Sequence, residues 1–184
     1  SKNTWISGLD ADCSIDENYL SSLDRYFDSM PNIQGASIKF EHPYTDPQTD
    51  PYIHYYESHL RYLKLALQWA QFPFYYHTVG SSMVVRASIY KKVGGMNHKK
   101  AGEDFYFLNK FMPLGHYAEI KNTTVIPSPR ISHRVPFGTG KAIGEIVNHP
   151  KEYLTYAPQT FVDLKKLFDI VPTLFSKTQN EIDG

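Results

Sequence analysis

Apolar positions along the chain follow two rhythms, one of period two and one of three to four, and their exchange predicts the elements. Residues 3–9 read as a short strand around Trp5 and Ile6 that runs into Asp10 and Asp12. Ser14-Ile15-Asp16-Glu17 has the spacing of a capping box, with Ser14 accepting from a free N–H and Glu17 reaching back. A helix follows with Ile15, Tyr19, Leu20, Leu23, Tyr26, Phe27 and Met30 on one face, ended by Pro31. "IQGASIKFEH" predicts a second strand with Ile38 and Phe40 pointing one way, and "HPYTDPQTDPY" a proline-punctuated loop. A long helix from about Tyr52 to Phe72 turns Tyr56, Leu60, Leu63 and Leu67 inward.

"YYHTVGSSMVVRA" is a strand interrupted by Gly80, and the short helix after it stops at Gly94-Gly95. Another helix begins near Glu103 and ends before Gly115, "YAEIKNTTVIP" is the last strand, and helices lie on both sides of Pro158. Strands alternating with helices predict an α/β protein with one core, a single domain over residues 1–184.

Composition narrows the partners. Formal net charge is zero, so nothing argues for nucleic acid or an anionic membrane surface. Fourteen Tyr and eleven Phe are many for this length and suit core packing or sugar and protein contacts. The lone Cys13 excludes an internal disulfide and fits a reducing compartment. No stretch is long and apolar enough to span a bilayer, and the expected location is the cytoplasm, peripheral at most to the inner face of a membrane. The stripe Phe161, Leu164, Leu167, Phe168 and Val171 is either membrane-facing or, more in keeping with its sparse charge, a packing or self-association surface.

Three constellations carry candidate chemistry. In "LDADC", Asp10 and Asp12 repel each other unless a cation, a helix N-terminus or both relieve them; Mg²⁺ and Mn²⁺ favour such hard oxygens together with phosphates. In "KKVGGMNHKKAGEDFYFLNKFMPLG", Asp104 opens a helix whose dipole favours the ionised form, which makes it either a general base or, with Glu103, an ordinary first-turn acid. In "RISHRVPFGTGK", Arg130, His133, Arg134 and Lys141 cluster beside Gly138 and Gly140, as a loop that closes on phosphates or as a solvated basic turn; a neutral His133 is a candidate metal ligand.

The order of "LDADC", "GSSMVVRASIYKKVGGM", "GEDFYFLNKFMPLGH" and "RVPFGTG" resembles the C-terminal part of family 2 glycosyltransferases, which have the GT-A fold. The likeness covers residues 3–142, leaving 143–184 as a C-terminal helical extension. It implies a mixed sheet flanked by helices and a reaction that moves a sugar, with inversion, from a nucleotide-diphosphate sugar to a hydroxyl of a glycan or lipid-linked acceptor. Carried over, Asp12 coordinates Mn²⁺ or Mg²⁺ on the donor diphosphate and Asp10 contacts the ribose or the metal. Asp104 deprotonates the acceptor, Glu103 shapes its site, and Arg130, His133 and Arg134 contact the diphosphate. In that family the nucleotide-gripping half precedes the D-x-D strand. The chain therefore reads as an acceptor-side portion, expected to bind donor poorly and to be inactive by itself.

Two alternatives come from other chemistry. Haloacid-dehalogenase-type phosphatases also end an early strand on D-x-D, with the first acid as nucleophile. A non-catalytic carbohydrate- or protein-binding module would rest on Tyr52, Tyr55, Tyr75 and Tyr76.

Overall fold

The computed structural model describes residues 4–97, 102–130, 139–149 and 154–175. Five strands, β1 (Trp5–Gly8), β2 (Ser14–Ile15), β3 (Gly35–Phe40), β4 (Met83–Arg86) and β5 (Tyr117–Ile126), form one mixed sheet in the order β1-β4-β3-β5-β2. Only β3 and β5 run parallel; the other neighbours are antiparallel. The helices are α1 (Tyr19–Ser29), α2 (Asp50–Trp69), α3 (Ala87–Lys92), α4 (Glu103–Phe111), α5 (Thr139–Asn148) and α6 (Pro158–Leu174). This is the mixed sheet flanked by helices that the resemblance implies.

Alternation along the central strands divides the core in two. Ala36, Ile38, Phe40, Val84 and Ile120 meet Tyr19, Leu23 and Phe27 of α1. On the opposite face Met83, Val85 and Tyr117 meet Phe107, Leu108 and Phe111 of α4. Arg86, almost fully buried, has no carboxylate partner among the described residues. It donates instead to the carbonyls of Ile33 and Phe27, at 2.7 and 2.9 Å, and lies over the Phe27 ring, tying the end of α1 to β4.

The predicted capping box does not form. Ser14 and Ile15 pair with Ile126 and Val125, and α1 starts only at Tyr19 after Asn18. Asp16 serves the same junction by accepting from the Thr124 N–H at 2.7 Å. A non-local ladder has outcompeted a local cap, and Ile15, Leu20 and Met30 are left exposed rather than inward. Along α2 the fully buried positions are Ile53 and the charged Glu57. On α6, Phe161 and Phe168 pack against Tyr62 and Phe72, while Leu167, Ile170 and Phe175 remain exposed. Among the described residues no helix is long and apolar enough to cross a membrane.

His77 packs edge-on against Phe40 at 5.2 Å. Burial, reinforced by nearby Lys64, lowers its pKa from 6.5 to about 4. Below about pH 6.5 the unfolded chain takes up this proton and the folded chain does not, until about pH 4. Folding stability therefore falls across that window, by about 3 kcal/mol. His77→Gln is expected to remove this part of the acid destabilisation, read as a smaller drop in urea midpoint between pH 7 and pH 4.5.

Candidate active site

The C-terminal ends of β1, β3 and β5 and the N-terminal end of β4 share one edge of the sheet, as the registers Gly8↔Met83 and Ser37↔Met83 require. At that edge the chain before β4 makes a single 3₁₀ turn, Gly80–Ser82. Everything at the site is hung on this turn. Gly8, the last residue of β1, lies so close to Gly80 that a side chain on it would overlap the Gly80 carbonyl oxygen. The Gly80 N–H donates to Asp104 Oδ2 at 2.9 Å, and the Cys13 thiol bonds the Ser81 side chain. The strand end that delivers Asp10 and Asp12 and the helix start that delivers Asp104 thus abut the same three residues.

Asp10, Asp12 and Cys13 bring their ligand atoms within 4.8 Å of one another. Exposed carboxylates of this kind suit a hard divalent ion such as Mg²⁺ or Mn²⁺. Cys13 is a poor third ligand, because burial raises its pKa and keeps the thiol protonated. A cation already answers Asp12: Arg130 Nη2 lies 2.7 Å from its Oδ2. The donor set and this guanidinium both fit a positive charge between Asp12 and a diphosphate.

Asp104 departs from the expectation of a dipole-stabilised acid. It is the second residue of α4, after Gly102 at φ 73°, and it accepts the Phe105 N–H at 2.7 Å as well as that of Gly80. Burial nonetheless outweighs these bonds, and with the neighbouring Glu103 charge it raises the Asp104 pKa. The group is a stronger base for it. Glu103 stands beside it in the same first turn.

His133 and Arg134 lie outside the described residues. Lys141 is turned to Glu145, one helical turn along α5, at 3.1 Å. Of the tyrosines singled out as sugar platforms, Tyr76 stacks on Tyr75 and donates to the Tyr117 carbonyl, so it belongs to the core; Tyr55 is exposed. Sequence reasoning missed Gly8 and Gly80, whose closeness has no local signal, and also a buried His42–Glu57 pair. A charged residue on the inward stripe of α2 was the available hint.

A family model described as glycosyl transferase family group 2 matches residues 5–154. No curated protein and no solved structure matches the chain.

Proposed function

Because the chain belongs to glycosyl transferase family group 2, we propose that it moves a sugar from a nucleotide-diphosphate donor to an acceptor hydroxyl by in-line displacement with inversion. The observation that carries the reading is the Gly80 turn, gripped by Asp104 on one side and abutted by the strand of Asp10 and Asp12 on the other. In-line attack needs a base on one side of the anomeric carbon and a charge sink at the leaving diphosphate on the opposite side. Asp104, made a stronger base by burial, accepts the acceptor proton as the hydroxyl attacks. Asp12, with Asp10, would hold Mn²⁺ or Mg²⁺, which when bound neutralises charge on the departing diphosphate. Arg130, paired with Asp12, would be free to turn to the phosphates if Asp12 held the ion, and a guanidinium fork is well shaped for them. Glu103 borders the acceptor side. The phosphatase alternative has no support from the family, and the binding-module alternative loses Tyr76 to the core.

The exchange at Arg130 supplies the test, because the two affinities should move in opposite directions. Arg130→Ala removes the cation that competes for Asp12, so Mn²⁺ alone, followed by its electron paramagnetic resonance signal, should bind several-fold more tightly. The same variant should bind Mn²⁺ with uridine or guanosine diphosphate more weakly by calorimetry. Each exposed charge contact is worth up to about 1 kcal/mol, or roughly fivefold. Asp12→Asn should abolish the Mn²⁺ site. Unchanged Mn²⁺ affinity in both variants would remove the metal from this reading.

A further inference from the structure

At the same sheet edge, on the far side of β5 from Asp12, lies a cavity of about 500 Å³ that the transfer chemistry above does not use. Cavities of roughly 300–1,000 Å³ are the range of small-molecule sites. Its position follows from the chain. Ile126, which lines it, pairs with Ser14, two residues after Asp12. Adding one cross-strand step to two residues of extended chain puts Asp12 Cα within about 12 Å of Ile126 Cα.

Its lining has three parts. Tyr44 and His54 stack face to face, centroids 4.1 Å apart and planes 18° from parallel, so each covers one face of the other and leaves its outer face open. The second part is a buried polar set. Glu57 Oε1 accepts the His42 backbone N–H at 2.7 Å and the ring Nδ1–H at 2.9 Å, and Glu57 Oε2 accepts from Arg61. His42 is 3% exposed, lines the cavity, and its Nε2 is buried with no hydrogen-bond partner among the described residues. A buried polar atom left unpaired is costly, which is a reason to look for a ligand that pairs it. Arg61 has further N–H donors beyond the one given to Glu57, and Ser58 adds a hydroxyl.

Charge decides the ligand class. Each carboxylate of the lining has its own cation, Arg61 on Glu57 and Lys39 on Glu41 at 3.1 Å, so no unpaired positive charge is left to hold a phosphate or carboxylate group. What fits is a neutral molecule with one apolar face and several hydroxyls. We infer that this cavity is a glycan subsite that takes a neutral sugar unit of the acceptor, its ring on an outer face of the Tyr44–His54 stack and its hydroxyls on Arg61, Ser58 and the His42–Glu57 pair. The assignment to the acceptor rests on the transferase reading. The nearness of Asp12 lets a short oligosaccharide reach from this subsite to the reacting centre.

The test is saturation-transfer NMR on the chain with methyl glucosides, methyl galactosides and N-acetylglucosamine, with uridine and guanosine as nucleoside controls. Tyr44 and His54 are exposed, so Tyr44→Ala and His54→Ala leave the core intact. At least one glycoside should give a signal that each variant weakens by about three- to tenfold, while Mn²⁺ binding is unchanged in both. A Tyr44-dependent glycoside signal from a chain that binds no Mn²⁺ would keep the sugar subsite and sink the transferase reading. Absence of any Tyr44-dependent glycoside signal, or its appearance with the nucleosides instead, would overturn the subsite whatever Mn²⁺ does.

Discussion

Asp104→Asn is expected to lower turnover by about 10²- to 10⁴-fold, the usual contribution of a general base. The substitution keeps size and shape but removes the proton acceptor. It has a structural cost too, because Gly80 and Phe105 donate their backbone N–H groups to different carboxylate oxygens, and the amide replaces one of those oxygens with an NH2. That loss is worth about 1 kcal/mol and a fall in Tm of about 2–4 °C, far too little to explain the kinetic effect. Mn²⁺ affinity should not change, since Asp12 lies on a different element.

A second readout separates chemistry from architecture. Burial raises the Asp104 pKa above 3.8, so the acidic limb of the rate profile should lie above the range of an ordinary aspartate, with rate rising as pH rises. The limb should vanish from the residual rate of Asp104→Asn. A variant that keeps its turnover would reduce Asp104 to a helix-start acid that happens to hold Gly80.

What the sequence discloses and what it conceals divide along the reach of each interaction. Strand β5, the stop at Gly94-Gly95 and the helix opened by Glu103 and Asp104 are written in local rhythm, and the structure follows them. Gly94 and Gly95 have φ of 77° and 69°, where glycine has no rival. The start of α1 was misread because Ser14 and Ile15 find partners more than a hundred residues away, and a ladder of backbone bonds outweighs one cap. The cavity beside β5 was illegible for a related reason. Glu57 is buried because His42, fifteen residues earlier, and Arg61 stabilise its charge. Burial alone would raise its pKa, yet those hydrogen bonds bring it down to about 2. Apolar periodicity cannot report a position that is inward and ionised. Asp10 and Asp12 were legible as chemistry, but the turn that their segment shares with Asp104 was not, because it depends on two glycines seventy-two positions apart in the chain.

Gly8→Ala tests that shared turn directly, and its effect should be large for so small a change. The added methyl meets the Gly80 carbonyl oxygen, and neither backbone can yield cheaply. Gly8 is held in register with Met83, while the preceding Ser7 hydroxyl bonds the Met83 carbonyl at 3.2 Å. On the opposite side, Gly80 is fixed by Asp104, and its turn is closed by the Ser82 N–H on the Val79 carbonyl at 2.9 Å. No side chain stands between them to rotate away. Overpacking of this kind costs about 1–3 kcal/mol, and on a chain of this size lowers Tm by several degrees. The more telling loss is positional: separating β1 from the Gly80 turn by about 1 Å misaligns Asp10 and Asp12 against Asp104, enough for roughly a 10²-fold loss of turnover.

Gly94→Ala is the control. Its methyl meets nothing within 4 Å, so it suffers only the strain of a left-handed φ, about 1–2 kcal/mol, and the adjacent Gly95 lies by the last turn of α4, where Lys110 donates to its carbonyl, not by Asp104 in the first. The two variants should therefore lose comparable stability, and Gly8→Ala alone should lose turnover. Equal turnover in both would mean that the glycine contact carries no catalytic geometry, and that the two acidic segments are aligned by something else.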